Sequence, residues 1–238
     1  MRQITVACLD MAGTTVSDEG SVLAAFQAAV AKFGLVPGAA GYDEAITVVQ
    51  DTMGQSKIEV FRRLLDDEDR AQLANHVFEA SYAESVQAGL VTALPGALET
   101  ITALRAAGIK VCLCTGFAPV TRDALLDALG WRQLIDLALS PADAGRGRPW
   151  PDMPLTALLR LRGGAVSELA VVGDTPADVE SGLRAGAGLV AGVTTGSAGR
   201  EALAAAGAPH ILDSVTGLLQ LAGVGAGVHE QPYPATGG

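Results

Sequence analysis

Aromatic side chains are scarce in this chain of 238 residues: Phe, Tyr and Trp together make up 4% of it. The core is therefore expected to be aliphatic, built mostly from Ala, Val and Leu. Basic residues are also few. Lys and Arg number 16 against 26 Asp and Glu, and the formal net charge is −10 at neutral pH. Such a surface repels a nucleic-acid backbone and anionic lipid, so neither is an expected partner. Charged residues reach only 18%, below the usual quarter or so, while hydrophobic residues reach 49%. That composition excludes a disordered chain and supports a large buried core. No uninterrupted apolar run approaches the roughly 18 residues of a membrane span, so no membrane segment is expected. Cysteine is limited to Cys8, Cys112 and Cys114, an odd number, each inside an apolar run. They read as buried reduced thiols of a cytoplasmic protein. Met1-Arg2-Gln3-Ile4 runs straight into a predicted strand and leaves no room for a signal peptide.

The length allows one large domain or one domain with an insert, at roughly 100–200 residues per domain. Residues 4–9 form an apolar run closed by Asp10 and, soon after, Gly13, as a fully buried parallel strand would be. Residues 21–33 and then 42–87 carry helical spacing, broken by the turn at Asp66-Asp67-Glu68-Asp69. From Leu94-Pro95-Gly96 onward, strands and helices alternate. Strands are predicted at 109–114, 134–139, 169–172, 189–193 and 210–212. Helices are predicted at 97–107, 119–129, 155–161, 175–185 and 201–206, with a loop over 146–154. This rhythm predicts an α/β fold, a doubly wound and mostly parallel sheet. The helical stretch does not fit it and reads as a small inserted α-helical cap. The expected division is a core of residues 1–16 and 91–222, a cap of 17–90, and a Gly- and Pro-rich mobile tail of 223–238.

Ligands of open parallel sheets bind beyond the carboxyl ends of the strands. Here those ends carry Asp10, Thr115 and Asp174, with Arg148 in the Gly- and Pro-rich loop. Gly13 permits a tight turn whose free amides would hold phosphoryl oxygens, with the hydroxyls of Thr14 and Thr15 beside them. Asp174 and Asp178 lie one helical turn apart, with Pro176 between them. Either they cap a helix, or they hold a hard cation such as Mg²⁺ together with Asp10. Thr115-Gly116 offers a hydroxyl and an amide for a phosphoryl oxygen. Arg148, set between Gly147 and Pro149, is a cation suited to balancing a carboxylate and a phosphate; Arg146 competes with it for that role. His76, His210 and His229 lack metal-ligand spacing and read as structural or surface groups.

This order of Asp10, helical insert, Thr115-Gly116, Arg148 and Gly173-Asp174 resembles the haloacid dehalogenase superfamily, over nearly the whole chain up to about Ala222. Most members carry D-x-D-x-T after the first strand. Ala12 stands here in place of the second Asp, and Arg148 in place of the common Lys. Both departures are shared by the phosphonatase-like branch (phosphonoacetaldehyde hydrolase and its relatives). Met53-Gly54-Gln55-Ser56-Lys57-Ile58 is similar to that branch's cap segment, in which a lysine forms a Schiff base with the substrate aldehyde. The resemblance implies a Mg²⁺-dependent hydrolase of a small phosphonate or phosphate, with Asp10 as nucleophile and an aspartyl-phosphate intermediate. It implies Lys57 as the Schiff-base lysine. Arg148, Gly13, Thr14, Thr115 and Gly116 would serve the phosphoryl group, and Met53 and Gly54 the organic part. The Mg²⁺ ligands would be Asp10, the Ala12 carbonyl and Asp174, supported by Asp178, and the protein a homodimer. Two residues depart from the branch: Met11 replaces a Trp, and Val60 replaces a His beside the lysine. The competing readings are a phosphomonoesterase of the phosphoglycolate-phosphatase type and a non-enzymatic phospho-accepting regulatory module.

Overall fold

The computed structural model describes residues 3–17 and 19–224. Met1 and Arg2, residues 225–238 of the expected tail, and His229 with them, lie outside the described residues. The chain opens with β1 (Val6–Asp10) and a two-residue strand β2 (Val16–Ser17). Four helices follow: α1 (Ser21–Ala31), α2 (Tyr42–Asp51), α3 (Lys57–Leu65) and α4 (Glu68–Gln87). Next come β3 (Thr92–Ala93), α5 (Ala97–Ala106), β4 (Lys110–Cys114), α6 (Pro119–Ala128), β5 (Leu137–Leu139), α7 (Pro141–Ala144) and α8 (Asp152–Arg160). The chain continues through β6 (Leu169–Gly173), α9 (Pro176–Arg184), β7 (Leu189–Val193), α10 (Arg200–Ala205), β8 (His210–Leu212) and α11 (Leu218–Leu221).

Six strands form one parallel sheet in the order β5-β4-β1-β6-β7-β8. Alternate residues of its central strands feed two separate cores, as the two-residue period of a strand requires. Ala7, Leu9, Val111, Leu113, Ala170 and Val172 face the core shared with α5, α6 and the four helices between β2 and β3. Val6, Cys8, Cys112, Cys114, Leu169 and Val171 face Met153, Ala157 and Leu158 of α8. The three cysteines are free and buried. Among the described residues no helix is long and apolar enough to cross a membrane.

The sheet itself is aliphatic, as composition requires. The few aromatics are concentrated elsewhere: Phe26 lies 5.2 Å from Phe61 and 4.7 Å from Phe78, holding α1, α3 and α4 together. That clustering supplies the bulk that short Ala-rich helices lack.

Several boundaries differ from the sequence expectation. The loop at 146–154 is shorter, because α8 begins at Asp152. Pro154 sits in its first turn, where its missing N–H has no partner to lose. The one-turn helix α7 is built on a capping box between Ser140 and Asp143, too short to show a periodic pattern. The antiparallel pairing of Val16 with Ala93 and Ser17 with Thr92 was equally invisible to periodicity. It joins the two points where the chain leaves and re-enters the sheet layer. The strand expected at 134–139 is cut to Leu137–Leu139, since Leu134 turns back to the Trp131 carbonyl at 2.9 Å.

Candidate active site

Because β1 lies between β4 and β6, the ends of three adjacent strands meet. Asp10 ends β1, Thr115 follows β4 and Asp174 follows β6. All three are buried, and oxygens of Asp10, Asp174 and Asp178 lie within 4.8 Å of one another. Arg148 is buried between two of them. Its Nη1 is 2.8 Å from Asp10 Oδ1 and its Nε 2.6 Å from Asp178 Oδ1. Arg146, the competing candidate, instead pairs with Asp152 at 2.8 Å and stacks over exposed Trp150 at 4.3 Å. Asp174 and Asp178, both in the acidic group with Asp10, differ in their partners. Asp178 Oδ2 accepts from the Thr175 amide and hydroxyl in a capping box. With Oδ1 on Arg148, both oxygens of Asp178 are engaged. Asp174 Oδ2 accepts from the Ser197 amide at 2.7 Å and hydroxyl at 3.1 Å, and Asp174 lines the cavity.

The turn after β1 corrects one expectation. The amides of Gly13, Thr14, Thr15 and Val16 are not free for a phosphoryl group. Those of Thr14, Thr15 and Val16 donate to the Met11 carbonyl, and that of Gly13 to the Val16 carbonyl at 2.8 Å. Thr14 is buried behind Asp174, 3.4 Å from Oδ1, and Thr15 donates to the Asp10 carbonyl at 2.8 Å. Gly13 still lines the cavity, and its identity has a steric cause. It holds φ 88°, and a Cβ would sit 2.6 Å from Asp174 Oδ2. Gly196 shares only the steric limit, with a Cβ at 2.0 Å from that oxygen.

The loop before α3 is pressed onto these strand ends. The Gly54 carbonyl accepts from Arg148 Nη1 at 3.2 Å, and a Cβ on Gly54 would meet Thr175 Oγ1 at 2.3 Å. The Lys57 amide donates to the Gly116 carbonyl at 3.3 Å, and a Cβ on Gly116 would meet the Gln55 carbonyl at 2.3 Å. Between the surfaces lies a cavity of about 360 Å³. Asp10, Ala12, Gly13, Asp174, Thr115, Gly116 and Arg148 form its sheet side; Met53, Gly54 and Lys57 line it from the inserted helices. Lys57 is buried, with Nζ 5.5, 6.0 and 5.2 Å from the ring centres of Phe26, Phe78 and Phe117. Val60, one turn further on, is buried in the apolar core.

Sequence reasoning missed Phe117 and the Thr195-Gly196-Ser197 turn, which also line the cavity. The turn had a readable signal: it follows β7, another parallel strand, at its carboxyl end.

Crowding carboxylates together out of water disfavours the charged forms of Asp10 and Asp174. Asp10 is pushed well above the usual carboxylate range by burial, and Asp178 and Asp174 push it further, against the pull of Arg148. Asp174 is pushed up to about 6 by burial and by Asp178, with the Ser197 hydrogen bonds opposing. Arg148 stays fully protonated: burial works against its charge, but Asp178 and Asp10 outweigh it. An oxygen-rich, charge-starved cradle of this kind fits a hard divalent cation.

A family model described as haloacid dehalogenase-like hydrolase matches residues 4–186. Two curated relatives are named phosphonoacetaldehyde hydrolase. That of Pseudomonas entomophila (strain L48) is 29% identical over 217 residues, spanning 82% of this chain and 75% of the relative. That of Bacteroides fragilis is 31% identical over 202 residues, spanning 78% and 74%. Among solved structures, a phosphonoacetaldehyde hydrolase-like protein from Oleispira antarctica superposes with a TM-score of 0.79 at 26% identity, covering 93% of this chain and 92% of that one.

Proposed function

The chain belongs to the haloacid dehalogenase-like hydrolases, and from that premise we propose that it cleaves the C–P bond of a small phosphonate bearing an aldehyde, with Asp10 as nucleophile and Lys57 as Schiff-base lysine. The observation that carries this reading is that Asp10 and Lys57 line one small cavity, with Arg148 beside the carboxylate. In this reading residues 17–90 are a cap and residues 1–16 with 91–222 the core.

The Lys57 amine adds to the aldehyde carbon, and water leaves. The resulting protonated imine is an electron sink. Asp10 then attacks phosphorus, the C–P electrons pass into the imine to give an enamine, and the phosphoryl group rests on Asp10. Water releases phosphate from Asp10, and protonation and hydrolysis of the enamine free Lys57 and the dephosphorylated aldehyde. This route explains why Ala12 is tolerated. An ester needs an acid to protonate its leaving oxygen, a contribution of about 10²–10⁴ in rate; a carbon leaving group stabilised as an enamine does not. Three phenyl rings and burial enclose the Lys57 amine and hold it away from bulk water. Arg148 screens Asp10 from the incoming phosphoryl charge, and Thr115 and Gly116 sit at the next strand end to receive its oxygens.

Asp10, Asp174 and the Ala12 carbonyl would hold Mg²⁺, with Asp178 in support through Arg148. Bound there, the ion would offset the charge of a carboxylate and a phosphate brought together. The Asp174 shift sets a pH dependence. Its folded value, about 6, lies above its ordinary 3.8. Ionising it therefore costs stability as pH rises through that window, and the cost is complete above the folded value. Mg²⁺ binding to the ionised form offsets that cost. The rise in melting temperature on adding Mg²⁺ is expected to be large at pH 7.5 and small at pH 5. A rise of equal size at both values would remove Asp174 from the metal site.

The Schiff base is tested with phosphonoacetaldehyde, Mg²⁺ and borohydride. A reduced adduct mapped by mass spectrometry to Lys57, and loss of both adduct and phosphate release in Lys57→Ala, are expected. No adduct, together with steady hydrolysis of phosphate esters, would reassign the chain as a phosphomonoesterase. A stable phosphoprotein without turnover would point to the regulatory module.

A further inference from the structure

One carboxylate ties the inserted helices to the core. Glu79 on α4 accepts from the Ala118 amide through Oε1 at 3.1 Å, and from the Thr121 hydroxyl through Oε2. Ala118 is the N-cap residue of α6 and Thr121 lies in its first turn. That turn has no acidic residue and begins with Pro119. Glu79 thus supplies from another helix the carboxylate that a capping box takes from its own third position, and it does so at the positive end of the helix dipole. On the same side of α4, Phe78 and Tyr82 pack against Phe117, with ring centres 6.0 and 4.5 Å away. Phe117 directly follows Thr115-Gly116, and its ring centre lies 5.2 Å from Lys57 Nζ.

We propose that Glu79 is a positioning residue: by clamping α4 to the first turn of α6 it holds Phe117 and the Lys57 amine over the phosphoryl site and keeps the inserted helices closed on the core. Its catalytic consequence rests on the reading of Lys57 given above. Glu79 is not among the residues lining the Asp10 cavity. It lines a second cavity of about 600 Å³, which shares Lys57, Gly116, Phe117 and Arg148 with the first. Its carboxylate therefore acts through Phe117 and Lys57 rather than on substrate. Two donors converge on one carboxylate, so a glutamine would turn its NH₂ toward one of them and an aspartate would fall short of spanning both.

The test reads Lys57 directly, without substrate. Full-length wild type, Glu79→Ala, Glu79→Gln and Thr121→Val are acetylated with acetic anhydride, and the Lys57 rate is followed by mass spectrometry beside a melting curve. Lys57 is expected to react at least about tenfold faster in Glu79→Ala, since even one of the two charge-assisted hydrogen bonds lost accounts for that factor. Thr121→Val removes only one of the two donors and should fall between, and the double variant Glu79→Ala/Thr121→Val should match Glu79→Ala, because the Thr121 contact is already lost in it. With phosphonoacetaldehyde, kcat should drop by a similar factor with a smaller change in KM. A lowered melting temperature with an unchanged Lys57 rate in the folded protein would overturn the proposal and leave Glu79 a stabilising cap only. If wild type forms no adduct with the aldehyde, the functional reading fails, and the acetylation series still decides whether Glu79 holds Lys57 in place.

Discussion

Replacing Asp10 by Asn is expected to abolish turnover and to raise the melting temperature at neutral pH. The two effects have one cause. The Asp10 carboxylate is buried beside Asp174 and Asp178. Burial, followed by those two neighbours, keeps its protonated form favoured beyond the usual range despite Arg148. An acid whose folded value is raised destabilises the native state once it ionises, so a neutral isostere removes that cost. The gain should shrink as pH falls, because the wild-type carboxyl then becomes protonated too. Activity follows the opposite course, since the amide cannot attack phosphorus; a loss of at least about 10³-fold is expected from removing a covalent nucleophile. Phosphate release and melting curves at pH 7.5 and pH 5 measure both. An Asn variant that melts lower than wild type at pH 7.5 would show that the ion pair with Arg148 outweighs the crowding. Retained turnover would remove Asp10 from the chemistry.

The second large effect is expected at Arg148. Its guanidinium is the cation shared by Asp10 and Asp178, and it also donates to the Gly54 carbonyl. Arg148→Ala strips two buried carboxylates of their partner, which costs about 3–5 kcal/mol. For a chain of this size the melting temperature falls by about 2–4 °C per kcal/mol, so a drop near or above 10 °C is about what these figures imply. Arg148→Lys separates charge from shape. A lysine carries the charge as a single point and cannot reach both carboxylates and the Gly54 carbonyl at once. It should recover most of the stability lost in the alanine variant while the loop around Gly54 loosens and activity falls. Equal melting temperatures for the lysine and alanine variants would show that geometry, not charge, holds this site together. An alanine variant as stable as wild type would mean that the guanidinium does not hold this site together.

Much of the architecture was legible because the physics behind it is local. Buried parallel strands read as apolar runs ending in Asp10, Thr115 and Asp174, and adjacent strand ends converge in any sheet of this type. The turn at Asp66-Asp67-Glu68-Asp69 was readable because acidic residues open the helix that follows; in the structure Asp66 is left-handed and the Asp67 side chain accepts from the Arg70 amide at 2.8 Å. Elements of two to four residues, such as β2, β3 and α7, left no period to detect. Their existence depends on pairing or capping partners rather than on pattern.

The site divides in the same way. Composition and spacing by themselves determined an aliphatic parallel sheet, an acidic surface, and carboxylates and a cation gathered at the strand ends. Which arginine reaches Asp10 was decided by the fold: Arg148 pairs with it, while Arg146 pairs with Asp152. So was the separation of Asp174, facing the cavity, from Asp178, spent on capping Thr175 and pairing with Arg148. The amides of Gly13, Thr14 and Thr15 looked free in the sequence and are satisfied within the turn itself. The aromatic enclosure of Lys57 draws on α1, α4 and the segment after β4. No spacing along the chain encodes a contact among segments so far apart in sequence; it exists only once the inserted helices close on the sheet.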